Sequence, residues 1–220
     1  MLEEYETLIV RQEMEPLQVF SGLETENRYK VLDPGGQEVC FACEESGFMA
    51  RQFLKSHRPL TIKIIDGGGD LLLVARRKFF WFFSHLEFLS PSGDLLGRME
   101  RRFSLVGRRL DLTDNNGTAA AIQGPLLRPN TFWISRDGRE LARITKQWSG
   151  LAREAFTVAD TFQVRFTDAA MSEPMRWLVL GAAFAIDLDF FEERNRRSGL
   201  RPGTLGGHSV DSGGFTGRGF

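Results

Sequence analysis

The sequence predicts a mainly β fold: an antiparallel meander of about twelve strands that curls into a barrel, plus one buried apolar helix near its end. Three observations carry this. Short β-rich runs alternate with Gly-, Pro- and Asp-rich turn signals along most of the chain. Thr61-Ile62-Lys63-Ile64-Ile65 and Phe162-Gln163-Val164-Arg165-Phe166 show the period-2 pattern of strands with one wet face. Only the segment Met175–Phe191 breaks the pattern, being almost wholly apolar.

Glu6–Arg11 opens the series. Tyr29–Leu32 and Val39–Cys43 flank Asp33-Pro34-Gly35-Gly36, and Thr61–Ile65 and Leu71–Ala75 flank Asp66-Gly67-Gly68-Gly69-Asp70. His85–Leu89 and Leu95–Arg102 flank Ser90-Pro91-Ser92-Gly93-Asp94. Ser104–Leu112 and Thr118–Gln123 flank Asp114-Asn115-Asn116-Gly117, where Asn-Gly suits a primed hairpin turn with φ > 0. Thr131–Ser135 and Glu140–Thr145 flank Arg136-Asp137-Gly138, and Thr161–Phe166 completes the set. In the apolar segment, Pro174 suits the first turn of a helix and Ser172 its N-cap. A helix apolar all round is buried or crosses a membrane. This one falls short of the ~20 residues of a span and contains Asp187 and Asp189, each costing ~2.5–3.5 kcal/mol at mid-bilayer. A buried helix is expected. Residues 1–193 read as a single domain, and 194–220 as a basic, then Gly-rich, disordered tail.

Composition narrows the function classes. Of 220 residues, 42% are hydrophobic, and 28 Lys+Arg face 29 Asp+Glu, a net charge of −1. Such a balance gives no electrostatic footprint for nucleic acid, and no nucleic-acid partner is expected. Two Cys build no disulfide framework. The acidic start, Met1-Leu2-Glu3-Glu4-Tyr5-Glu6, lacks a signal pattern. The expectation is an intracellular protein, in the cytoplasm or on the cytoplasmic face of a membrane.

Catalytic motifs are weak. Gly207-His208-Ser209-Val210-Asp211 lacks the closing glycine of a nucleophile elbow, and Asp211-Ser212-Gly213-Gly214 shares the same tail, without a scaffold to hold a triad. Cys40-Phe41-Ala42-Cys43 has redox or zinc spacing, but on a strand its thiols point to opposite faces. The glycines of Asp66–Asp70 precede no helix and no Lys-Ser/Thr, so they cradle no phosphate. Covalent catalysis is not expected.

The stretch with most chemical character is Arg76-Arg77-Lys78-Phe79-Phe80-Trp81-Phe82-Phe83. Cations followed by aromatics suit an interfacial anchor, with charges at anionic head groups and rings at the acyl boundary. A core strand with alternate rings inward is the competing reading, and it hides only about half of the rings on one face. Arg194, Arg196, Arg197 and Arg201 form a second basic cluster that either complements the helix dipole or contacts acidic lipid.

Lys146-Gln147-Trp148-Ser149-Gly150, Arg153-Glu154-Ala155-Phe156-Thr157 and Ala159-Asp160-Thr161-Phe162 together resemble a conserved block of the phospholipid scramblase family. Leu180-Gly181-Ala182-Ala183-Phe184-Ala185-Ile186-Asp187, followed by Phe190-Phe191-Glu192, is similar to that family's C-terminal helix. Asn27-Arg28-Tyr29, Arg58-Pro59-Leu60, Ile64-Ile65-Asp66 and Gly124-Pro125 also match. The likeness runs from about Tyr5 to Glu193. It implies the tubby-like superfamily fold, a closed twelve-stranded barrel around a central hydrophobic helix, here with Trp177, Leu180, Phe184, Ile186 and Phe190 as its apolar positions.

The resemblance further implies a membrane-associated protein moving phospholipid between leaflets without an energy source or covalent chemistry. It also implies a calcium loop at Val158–Ala169. There the terminal acidic positions are Val158 and Ala169, leaving Asp160, with Asp168 one place out of register. Calcium takes six to eight oxygens, so weak or absent binding is expected. The family's palmitoylated Cys stretch falls at about Lys78–His85, where no Cys occurs; the aromatic run stands in its place. The family's Pro-rich N-terminal extension has no counterpart. A second reading is a tubby-like module that binds lipid head groups or protein and translocates nothing.

Overall fold

The computed structural model describes residues 1–13, 25–45, 59–78, 85–105, 107–117, 119–147, 161–187 and 190. The predicted tail from 194 lies outside them. The described residues form twelve strands: β1 (Thr7–Glu13), β2 (Thr25–Leu32), β3 (Glu38–Glu45), β4 (Leu60–Ile65), β5 (Leu71–Arg77) and β6 (His85–Leu89) are followed by β7 (Leu95–Arg102), β8 (Gly107–Asp114), β9 (Ala119–Pro125), β10 (Thr131–Arg136), β11 (Arg139–Gln147) and β12 (Thr161–Phe166). Each pairs antiparallel with its neighbour in sequence, and β1 pairs β12 through Leu8↔Val164 and Val10↔Phe162, so the sheet closes. Every strand read from the sequence is present.

Alternation fills the barrel. β4 buries Leu60, Ile62 and Ile64; β5 buries Leu73 and Ala75; β12 buries Phe162, Val164 and Phe166. Twelve strands enclose a lumen wider than their own side chains fill. It is occupied by α1 (Glu173–Ile186), with Ser172 as N-cap residue and Pro174 in the first turn. Leu178, Leu180, Phe184 and Ile186 are buried, while Trp177 and Phe190 are partly buried against the core. Small residues admit the helix to the wall. A Cβ on Gly181 would overlap the Phe88 ring, and one on Gly97 would lie 2.7 Å from Leu178 Cδ1.

The two rims of the barrel differ. At one, the connections are tight: 33–37, 66–70, 90–94, 115–118 and 137–138. Asp33 and Asp66 accept backbone N–H bonds within their turns, from Gln37 at 2.8 Å and from Gly68 at 2.9 Å. Gly117 takes φ 79°, but Asn115 and Asn116, the central residues of the turn closed by Gly117 N–H on Asp114 O, do not have positive φ, so the turn is not the primed one expected. Here α1 begins, beside the N-terminus: Met1 N lies 3.1 Å from Glu173 Oε1. At the opposite rim lie the ends of β1, β3, β5, β7, β9 and β11, the connections 103–106 and 126–130, and the end of α1.

Some boundaries differ from expectation: β2 begins at Thr25, four residues before Tyr29. The strand expected over Ser104–Leu112 begins at Gly107, and Phe103, Ser104 and Leu105 stand exposed beyond the sheet. The β7–β8 ladder ends at Arg102↔Arg109.

Candidate functional site

The rim where α1 ends carries the chemistry. Just inside it, the core ends in a layer of buried charge. Asp187, past the last turn of α1, accepts hydrogen bonds from Tyr29 Oη at 3.0 Å and Lys146 Nζ at 3.2 Å. Lys146 Nζ also lies 5.0 Å from the centroid of the Phe162 ring, and Tyr29 packs on Phe184 with centroids 5.1 Å apart. Lys146 falls on the inward face of β11 by strict alternation with Ile144 and Ala142. Glu44 of β3 and Arg77 of β5 are buried at the same end. Beside this layer, Phe190 sits against Phe132 at 5.7 Å, with the guanidinium of Arg101 5.0 Å and that of Arg108 5.3 Å from its ring.

The predicted basic–aromatic segment starts at this rim. Arg76 is exposed and pairs with Glu87 on β6 at 3.3 Å; Lys78 is exposed where β5 ends. Arg77 points the other way, into the interior, with 4% exposure. Strand alternation between Arg76 and Arg77 requires this, so Arg77 is placed for the buried layer and not for a surface. Phe79, Phe80, Trp81, Phe82 and Phe83 lie outside the described residues.

Outside the barrel mouth, two neighbouring connections expose apolar side chains that the sequence reading did not single out. Phe103 and Leu105 on the β7–β8 connection are 75% and 83% exposed; Leu126 and Leu127 on the β9–β10 connection are 67% and 96% exposed. The β8–β9 ladder runs as far as Gly107↔Pro125, so the two connections leave the sheet from adjacent strands at one rim. A leucine pair directly after Gly-Pro was the available signal, since a turn seldom needs two large apolar residues.

Of the calcium loop implied by the resemblance, residues 158–160 lie outside the described residues and Thr161–Phe166 is strand. The strand is extended over ~20 Å, whereas an ion-binding loop wraps around one point. Asp168 follows the far end of that strand, whereas Asp160, outside the described residues, precedes its near end. Asp168 is engaged at the tight-turn rim, accepting from Arg139 Nη2 at 2.9 Å and from the Ala170 N–H at 3.1 Å. Among the described residues no cluster of His, Cys, Asp or Glu has the makings of a metal site.

The cysteines separate as alternation demands: Cys40 is buried and Cys43 half-buried. Burial pushes the Cys40 thiol up to about 12, and burial also raises that of Cys43. Neither thiol is an activated nucleophile.

The central helix has 14 residues, ~21 Å in length against a ~30 Å hydrocarbon core. Among the described residues no helix is long and apolar enough to cross a membrane. Its first turn is tied down by buried Arg176, which donates to the carbonyls of Tyr5 at 2.8 Å, Leu2 at 3.2 Å and Met171 at 3.3 Å and lies over the Phe166 ring.

Comparison with known proteins agrees with this architecture. A family model described as Scramblase matches residues 1–193. Phospholipid scramblase 1 of Mus musculus is 30% identical over 216 residues, covering 90% of this chain and 66% of its own. The Homo sapiens protein of that name is 27% identical over 217 residues, covering 90% and 68%. Altered inheritance rate of mitochondria protein 25 of Saccharomyces cerevisiae is 25% identical over 237 residues, covering 88% and 72%. The chain thus spans roughly two thirds of the length of these relatives. No solved structure matches. A match over nearly the whole barrel and helix, together with the closed twelve-stranded topology, places this chain in the scramblase family.

Proposed function

We propose that this chain is a membrane-associated, phospholipid scramblase-like protein that exchanges phospholipid between leaflets by contact, without nucleotide and without covalent chemistry. The observation that carries the reading is the family match over residues 1–193, which takes in every strand and the helix. Arg76 and Lys78, with the aromatic run that follows, supply head-group and interfacial contacts at the anionic surface of the bilayer. The central helix serves as the barrel's core and is not a lipid path: its buried side chains and the Lys146–Asp187 pair are satisfied only inside the barrel. Exchange therefore takes place where the barrel mouth perturbs the bilayer.

The test is a fluorescent-lipid assay in proteoliposomes, in which dithionite quenches only the outer leaflet. Loss of fluorescence beyond the outer-leaflet fraction, without ATP and equal in calcium or chelator, is the expected result. Protein that binds the vesicles but leaves the inner leaflet protected overturns translocation. That outcome supports the second reading, a lipid-binding tubby-like module, which the short and enclosed helix favours.

A further inference from the structure

We propose that the β7–β8 and β9–β10 connections form a docking surface that seats one arc of the barrel rim on an anionic phospholipid bilayer. The proposal rests on the membrane reading above and adds the contact surface and the orientation. Phe103, Leu105, Leu126 and Leu127 are at least two-thirds exposed and belong to adjacent loops at a single rim. Met1 apart, they are the exposed large apolar residues among the described residues. Scattered exposed apolar residues need no explanation, whereas four on two loops that leave adjacent strands at one rim point to an interaction surface.

Charge identifies the occupant. Arg101, Arg102, Arg108 and Arg109 flank the first loop in sequence and Arg128 lies in the second, with Glu100 and Asp111 as the carboxylates paired with Arg102. Arg102 and Arg109 pair with Asp111, at 2.8 and 3.6 Å. Arg101 and Arg128 lie over aromatic rings, those of Phe190 and Trp133. The opposite rim carries Asp33, Asp66, Asp70, Asp94, Asp114 and Asp137 at its tight turns, with Arg136 and Arg139 flanking the last of these. An anionic surface attracts the first rim and repels the second, and each basic residue close to it contributes to the attraction. Apolar tips ringed by arginine, with a carboxylate-bearing far side, suit an acyl–head-group boundary.

Vesicle co-sedimentation tests this with phosphatidylcholine vesicles, with and without phosphatidylserine, on the whole chain. The variant replaces Phe103, Leu105, Leu126 and Leu127 by Ser; a urea melt checks its fold, which exposed side chains leave unchanged. A second variant, Arg101→Gln with Arg128→Gln, probes charge. The expected result is wild-type binding that requires phosphatidylserine, falling at least about tenfold in the serine variant and less in the arginine variant. Wild-type binding with an equally bound serine variant overturns the docking surface and leaves the membrane reading intact. A wild-type chain that binds no vesicle overturns both. A wild-type dimer that ignores vesicles and becomes monomeric in the serine variant assigns the patch to a second copy and overturns the proposal.

Discussion

Asp187 sits where a carboxylate is least favoured, against the negative end of a helix dipole and away from water. Lys146 and Tyr29 offset that cost with the two hydrogen bonds described above, and thereby fix the end of the helix to β11 and β2. Breaking such a pair strands a buried charge, so Lys146→Met is expected to destabilise the chain by ~3–5 kcal/mol in urea melts. Replacing Lys146, Asp187 and Tyr29 together by Met, Leu and Phe should recover most of it; equal loss in both would contradict a paired role. Cys40 gives a pH signature. Its thiol ionises near pH 9 in the unfolded chain but only at about 12 in the fold, so stability present below pH 9 falls as pH rises toward 12. Cys40→Ala should flatten that alkaline decline in a series of urea midpoints. Iodoacetamide at mildly alkaline pH should label Cys43 ahead of Cys40 in the native chain; label on Cys40 first would be inconsistent with its burial.

At the scale of elements, α1 fits the barrel because Gly181 faces the Phe88 ring. Gly181→Ala is expected to cost ~1–3 kcal/mol by overpacking, and Phe88→Leu in the same chain should relieve part of it. A double-mutant cycle by urea denaturation reads the coupling, and additive effects would contradict the contact. The strands were legible because alternation and turn chemistry agree: Asp-Gly, Asn-Gly and Pro-Gly signals lie at the tight rim, where short connections leave local residues to set the geometry. The opposite rim was not legible in the same way. Its connections at 103–106 and 126–130 are neighbours through the β8–β9 ladder, a pairing that joins residues about twenty apart in sequence. That is why Leu105 and Leu127 went unremarked while Phe79–Phe83, contiguous in sequence, stood out. Strand alternation itself corrected Arg77, which is buried beside exposed Arg76.

For the whole molecule, the barrel and its helix form one core, and the surface divides into an acidic tight-turn rim and a basic, apolar-tipped arc on the other. Pulling the helix out would expose Met175, Leu178, Val179, Leu180, Phe184 and Ile186. At ~1.5–3 kcal/mol each, that loss matches or exceeds the ~5–15 kcal/mol that holds a domain together. The helix is therefore expected to stay inside while the rim meets the bilayer. Two single-tryptophan chains on phosphatidylserine vesicles with brominated acyl chains test this most directly, with the other native tryptophans changed to Phe. One keeps Trp177, near the tight-turn rim; the other carries Leu127→Trp in place of Trp177. Strong quenching at 127 with Trp177 unquenched is the predicted result, and quenching of Trp177 by the acyl bromines would contradict the account.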